Sequence, residues 1–174
     1  MDYEVVGLPA HVLLVHAVIV LTPLLGVLLV VIAAWPAARR VLWLPALIGA
    51  AVLLPLGLVT IEAGKWLEVR VPPAPLIQEH TAMGEGIIPW LIAILVVAVL
   101  VSAWAVIELV ARRRAREDRA PQRPGRGIRI AVGVVLTLAS LAVAAGTTWT
   151  IVQIGESGSR AVWEGSFSDE PLER

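Results

Sequence analysis

The sequence predicts an all-α fold, a four-transmembrane-helix bundle that forms a single membrane domain over residues 1–174. Three observations support this prediction. Hydrophobic residues make up 58% of the chain and the mean hydropathy is +0.83, whereas soluble domains are roughly 45–50% apolar. Four apolar stretches each reach the length of about 20 residues that a helix needs to cross a hydrocarbon core. Basic residues are concentrated in alternate connections between these stretches.

The four apolar stretches are predicted to be helices, because backbone N–H and C=O groups inside a bilayer must find partners within their own segment. In chain order, the spans cover about 9–34, 41–61, 87–111 and 130–154. The connection 64–86 contains prolines that favour an extended corner, followed by a pattern that suits a helix. The C-terminal tail, 155–174, is too polar to span and is expected on the membrane surface, with Trp163 and Phe167 as anchors.

Basic residues set the expected orientation. Ten of the fourteen lie in two connections, at 35–40 and in the arginine-rich segment 112–129. The positive-inside rule places both connections in the cytoplasm, and therefore places 64–86 and both termini outside. Tryptophans are expected at the two interfaces, Trp90 at the outer one and Trp104 at the inner one. Topology alone explains the arginines of 112–129, and binding of anionic lipid headgroups or a cytosolic partner is the alternative.

Charge and cysteine content exclude several classes of function. Fourteen basic residues balance fourteen acidic ones, so the lipid bilayer is the expected partner and nucleic acid is not. The absence of cysteine removes disulfides, thiolate metal sites and cysteine nucleophiles. The sequence contains no phosphate-binding glycine loop after a strand and no evident nucleophile–base pair. We therefore expect a protein that is not an enzyme on its own.

The three histidines are the candidate functional residues. His16 lies inside the first predicted span, where an ionisable side chain is costly and therefore indicates function. His11 and His16 are five residues apart, about 140° around an ideal helix, so they do not share one narrow face. His80 is placed at the same outer end, together with Glu62, Glu85 and Glu156. In the alternative without function, His11 sits at the interface, His16 bonds a neighbouring helix and His80 caps a surface helix.

A weak internal repeat relates the two halves of the chain. Each half begins a helix near a histidine, His16 or His80, and ends its second helix with a glutamate two residues before a glycine. These are Glu62 with Gly64 and Glu156 with Gly158. A parallel repeat of two hairpins would bring the matching positions together at one outer site.

Four segments carry recognisable motifs: Leu8–His16, Glu62–Glu68, His80 with Gly84 and Glu85, and Gly158–Trp163. These segments resemble those of the bacterial four-helix membrane family called domain of unknown function 2231. Two positions differ from the family pattern. Val12 replaces the usual proline after the first histidine, and Glu156 stands where the family commonly has another histidine. The resemblance implies a bacterial cytoplasmic (inner) membrane protein, and the joining of some members to Rieske-type domains implies a role in membrane redox chemistry.

Three functions are compatible with these residues. The leading interpretation is a haem-binding or redox-linked electron-transfer subunit, with His16 and His80 as axial ligands of haem b and His11 as alternate ligand. The second is a non-redox site for zinc, copper or iron formed by His11, His16, His80 and Glu156, with Glu62 and Glu85 orienting the ligands. The third is a cofactor-free structural or interaction subunit. Each of these functions is compatible with binding to a redox partner or with assembly into a homo-oligomer.

Two predictions concern helix packing. Small residues are expected at the interfaces, because close van der Waals contact drives association in lipid. The candidates are Gly49, Gly57, Gly133, Ala144 and Gly146. Glu108, near the inner end of the third span, is expected to pair with Arg112 one helical turn later, and is not proposed as a site.

Overall fold

The structure, a computed structural model, describes residues 2–116 and 125–166. It confirms the predicted all-α fold with four helices long and apolar enough to cross a membrane, so the chain is a multi-pass membrane protein. In chain order the elements are β1 (Glu4–Val5), β2 (Leu8–Pro9), α1 (Ala10–Ala34), α2 (Pro36–Glu68), α3 (Pro75–Gly84), a 3₁₀ turn (Glu85–Ile87), α4 (Ile88–Arg116) and α5 (Arg126–Trp163).

The helices extend beyond the predicted spans. The first nine residues of the predicted C-terminal tail, 155–163, continue α5 instead of forming a separate surface segment. Ser157 is buried there and contacts His80 of α3. Helix α5 begins at Arg126 and α4 continues to Arg116, so both helices extend into the predicted connection 112–129. The rest of that connection, 117–124, and the predicted anchor Phe167 lie outside the described residues.

The long helices pack in the order α1, α2, α4, α5 around the bundle. Helices α1 and α4 each pack against both α2 and α5, while α3 lies across the ends of α5 and α2. Consecutive helices are therefore neighbours, as in an up-and-down four-helix bundle. The core is formed by buried aliphatic residues such as Leu29, Ile32, Leu53, Leu91 and Ile94.

Small residues permit the closest contacts between helices. A Cβ added at Gly57 would lie 2.3 Å from Leu91 Cδ1, and one added at Gly146 would lie 1.9 Å from Trp90 Cη2. A third contact involves Ala144, whose Cβ is 3.0 Å from the Cβ position of Gly26. Gly133 differs from the prediction, because nothing lies within 4 Å of its Cβ position.

Two tryptophans expected at the interfaces lie on the bundle side of α4. Trp104 is a core residue with 9% of its surface exposed, and its Nε1 has no hydrogen-bond partner among the described residues. Trp90 packs against the core and fills the space above Gly146. The rotation of α4 about its axis decides this placement, since a position near the end of a span does not specify which face a side chain occupies.

A short hairpin precedes α1. Strands β1 and β2 are antiparallel, with Val5 opposite Leu8, and the turn between them places Gly7 at φ +78°, a conformation that glycine adopts without strain. The backbone carbonyl of Tyr3 accepts from Ala10 N–H at 2.8 Å. The Tyr3 ring meets the Trp66 ring edge-on at a centroid distance of 6.5 Å. These contacts attach the hairpin to the end of the bundle where α1 begins.

Candidate functional site

Two of the three histidines meet at the end of the bundle formed by the start of α1, the end of α2, α3 and the end of α5. The rings of His11 and His80 are edge-to-face, with centroids 6.2 Å apart and an interplanar angle of 76°. Both side chains are half-buried. We call this arrangement the histidine pair.

His11 is seated on α2. Its Nδ1 lies 3.0 Å from the backbone carbonyl oxygen of Thr60. Its ring covers Gly64, where an added Cβ would stand 3.0 Å from Nδ1 and 3.1 Å from Cε1. The glycine therefore provides the space that this ring occupies.

His80 is seated on α5 in the same manner. Its Nδ1 lies 3.0 Å from Ser157 Oγ, and the Ser157 hydroxyl donates to the carbonyl of Ile154 at 2.8 Å. The ring covers Gly158, where an added Cβ would stand 2.9 Å from Cε1. A glycine again makes room for the imidazole.

The hydrogen-bond partners favour one tautomer of each neutral ring. A carbonyl oxygen only accepts, so His11 must donate through Nδ1–H to Thr60. When the Ser157 hydroxyl donates to the Ile154 carbonyl at 2.8 Å, its oxygen accepts from Nδ1–H of His80. Each ring then carries its free lone pair on Nε2, which is the atom that a metal ion binds when Nδ1–H is held by a carbonyl or similar acceptor.

The structure places His16 outside the histidine pair. Its side chain is exposed, and its Nδ1 contacts the carbonyl oxygen of Val12 in the same helix. It follows His11 by five residues, about 140° further around α1, so when His11 faces the bundle His16 faces away from it. The predicted axial pair of His16 and His80 is therefore not brought together, and His11 takes the place of His16.

The carboxylates at this end are exposed and do not complete the site. Lys65 Nζ lies 2.7 Å from Glu85 and 3.3 Å from Glu62, so these two side chains hold a lysine where the sequence predicted ligand-orienting partners. Glu156 is exposed. The described residues contain no group of three or more His, Cys, Asp or Glu side chains placed to hold a metal ion. Of the predicted site residues, His11 and His80 are therefore the two whose side chains the structure brings together.

No protein-family model, curated protein or solved structure matches this chain. The resemblance to domain of unknown function 2231 therefore stays a prediction. The predicted internal repeat, by contrast, has a counterpart in the structure.

Buried positions align the second helix of each half in the predicted register, with Gly64 matching Gly158, but shift the match of the first helix from His16 to His11. Adding 69 to a residue number relates α1 to α3 and α4, and adding 94 relates α2 to α5. The matching pairs include His11 with His80, Thr60 with Ile154 and Gly64 with Gly158. Matching core positions include Val18 with Ile87, Leu25 with Ile94, Leu29 with Ala98, Ile32 with Val101, Leu53 with Thr147 and Ala63 with Ser157, all of them buried. In the structure the histidine that matches His80 is therefore His11, whereas the predicted repeat had matched His16 with His80.

A buried ion pair at the opposite end of the bundle was missed by sequence reasoning. Arg39 is 2% exposed and Glu108 is 6% exposed. Both Nε and Nη2 of Arg39 lie 3.3 Å from Glu108 Oε2, and Nη1 donates to the carbonyls of Ile32 and Ala33. Glu108 thus has a partner on another helix, in addition to the intrahelical one that its spacing from Arg112 predicts. An acidic residue within a long apolar stretch, opposite a basic residue at a helix start, was the available signal.

Proposed function

We propose that this protein is a metal-binding protein of the bacterial cytoplasmic membrane, and that His11 and His80 bind one transition-metal ion through Nε2. The observation that carries the proposal is a pair of imidazole rings with centroids 6.2 Å apart, whose Nδ1 atoms are both engaged, by the Thr60 carbonyl and the Ser157 hydroxyl. Nε2 of each ring is then the nitrogen left for a metal ion. Neutral imidazole suits zinc, copper, nickel and iron.

The charge at this end of the bundle supports a free cation over haem. Among the described residues here, eight are acidic and three are basic. The acidic ones are Asp2, Glu4, Glu62, Glu68, Glu79, Glu85, Glu156 and Glu164, and the basic ones are Lys65, Arg70 and Arg160. A net negative surface raises the local concentration of cations, whereas haem carries propionate groups that such a surface repels. Haem bound between His11 and His80 is the second candidate, since each imidazole comes from a different helix.

Two protein ligands leave the remaining coordination positions of an ion open to water, to a small ligand or to a partner protein. An open site of this kind suits exchange or catalysis, whereas structural zinc sites are closed by four protein ligands. The proposed role is therefore delivery, sensing or redox use of a metal ion on one side of the membrane, together with a partner.

The first test is metal binding by the purified protein. Protein dialysed separately against Zn²⁺ and Cu²⁺ should retain about one ion per chain by elemental analysis. His11→Ala and His80→Ala should each weaken binding by tenfold or more, because loss of a ligand costs at least as much as loss of the ~10–100-fold contribution of its supporting partners. His16→Ala, the matched control, should bind like the wild type.

The glycines that the two rings cover provide a second, independent test. Gly158→Ala should displace the His80 ring and weaken binding, whereas Gly155→Ala should not, since nothing lies within 4 Å of the Gly155 Cβ position. A Soret band that is lost when His11 or His80 is replaced would show that the pair binds haem instead of a free metal ion. Wild-type protein that retains neither metal nor haem would leave a structural role for the pair.

We also propose that both termini and the histidine pair face the outside, because the arginines at the other end follow the positive-inside rule. The chain has no cysteine, so single cysteines at Gly125 and Ser166, at opposite ends of α5, can be labelled without background. In intact cells an impermeant thiol reagent should modify the cysteine at 166 and spare the one at 125. Labelling of the cysteine at 125 from outside would contradict this orientation.

A further inference from the structure

A surface cavity lies at the end of the bundle opposite the histidine pair. It has a volume of about 630 Å³ and forms where the end of α1, the start of α2 and the start of α5 meet. Its charged lining residues are Arg39, Glu108, Arg126 and Arg129. We call this space the arginine cavity.

The mouth of the arginine cavity is positively charged. Arg39 and Glu108 neutralise each other at 3.3 Å. Arg129 is 3.9 Å from Glu108 and its side chain is 49% exposed. Arg126 is exposed and forms no ion pair with any described residue. Two arginines against one already paired carboxylate leave excess positive charge that favours an anion.

Most of the remaining lining is apolar, and much of it lies along the exposed side of α5. Ile130, Val134 and Leu138 line it, and they are 57%, 52% and 60% exposed. Their spacing of four residues places them in one row along the helix. Gly133 lies beside this row and has nothing within 4 Å of its Cβ position, which leaves a recess. The row begins next to the arginines and runs towards the middle of the predicted span.

We propose that the arginine cavity binds an anionic phospholipid, with its phosphate at Arg126 and Arg129 and an acyl chain along Ile130, Val134 and Leu138. Basic pockets between transmembrane helices bind lipid headgroups in this manner. A free phosphate would use the arginines but not the apolar row. An acidic protein partner would not need a recess at the depth of Gly133.

The experiment measures lipid retained by the full chain in detergent, by native mass spectrometry, with phosphatidylglycerol and phosphatidylcholine of identical chains. The wild type should retain phosphatidylglycerol preferentially. Arg126→Gln should weaken its binding about fivefold, the factor that corresponds to about 1 kcal/mol per basic residue near an anionic surface. Arg114→Gln is the matched control, since Arg114 is also exposed at this end but does not line the cavity.

A second pair of variants tests the acyl-chain part without changing charge. Gly133→Leu should fill the recess and weaken retention of both lipids. Gly127→Leu, on the same helix and also without a neighbour within 4 Å, should not. Melting curves in detergent show that each variant is folded. Three results would each overturn the proposal. They are equal losses of lipid binding in Arg126→Gln and Arg114→Gln, no loss of binding in Gly133→Leu, and equal displacement of phosphatidylglycerol by inorganic phosphate in the wild type and Gly133→Leu.

Discussion

Replacing Arg39 by methionine is expected to destabilise the bundle by about 3–5 kcal/mol, because Glu108 stays buried after the loss of its buried partner. Arg129 lies 3.9 Å from Glu108 but is 49% exposed, and the carbonyls of Ile32 and Ala33 would lose their side-chain donor. The measurement is the melting temperature in detergent, where Arg39→Met should melt well below the wild type.

Arg40→Met is the matched control for this change. Arg40 is the next residue along α2 but is exposed, and exposed ion pairs contribute only about 0–1 kcal/mol. The double variant Arg39→Met/Glu108→Leu should recover part of the lost stability, since it leaves no buried carboxylate without a partner. Equal melting temperatures for Arg39→Met and Arg40→Met would refute a structural role for the buried pair.

The second large effect is expected at Gly146. Any side chain here starts with a Cβ 1.9 Å from Cη2 and 2.2 Å from Cζ3 of Trp90. These are atoms of a rigid ring, so α5 must move away from α4 or the indole must leave its place. Gly146→Leu should therefore lower stability in detergent by about 1–3 kcal/mol or more, the range found for overpacked cores.

Two further variants separate this contact from a general intolerance of leucine in α5. Gly155→Leu lies on the same helix with nothing within 4 Å of its Cβ position and should melt close to the wild type. Replacing Trp90 by leucine in the Gly146→Leu background should restore stability relative to Gly146→Leu alone, because contacting residues are energetically coupled. Independent, additive effects of the two changes would show that Trp90 and Gly146 are not in contact.

The sequence alone determined that the chain forms long helices, and where each apolar segment lies. That inference needs only the length of the apolar stretches and the requirement that backbone groups be paired inside a bilayer. It underestimated the lengths of the helices, because polar residues such as Ser157 continue α5 once they contact a neighbouring element. The same reasoning identified the histidine-bearing end of the molecule, since His11 lies at the start of the first apolar span and His80 shortly before the third.

The tertiary structure decided which histidine faces inward. Helix α1 is apolar on nearly all sides, so its sequence pattern does not specify which face packs against the bundle. Packing on Thr60 and Gly64 sets the rotation that directs His11 towards His80 and leaves His16 exposed. The partner of Glu108 on another helix is a similar case. Arg112 is visible as a partner from helical spacing, but Arg39 is 69 residues away and becomes a neighbour only when α2 packs against α4, because long-range contacts depend on how helices pack and not on any local pattern.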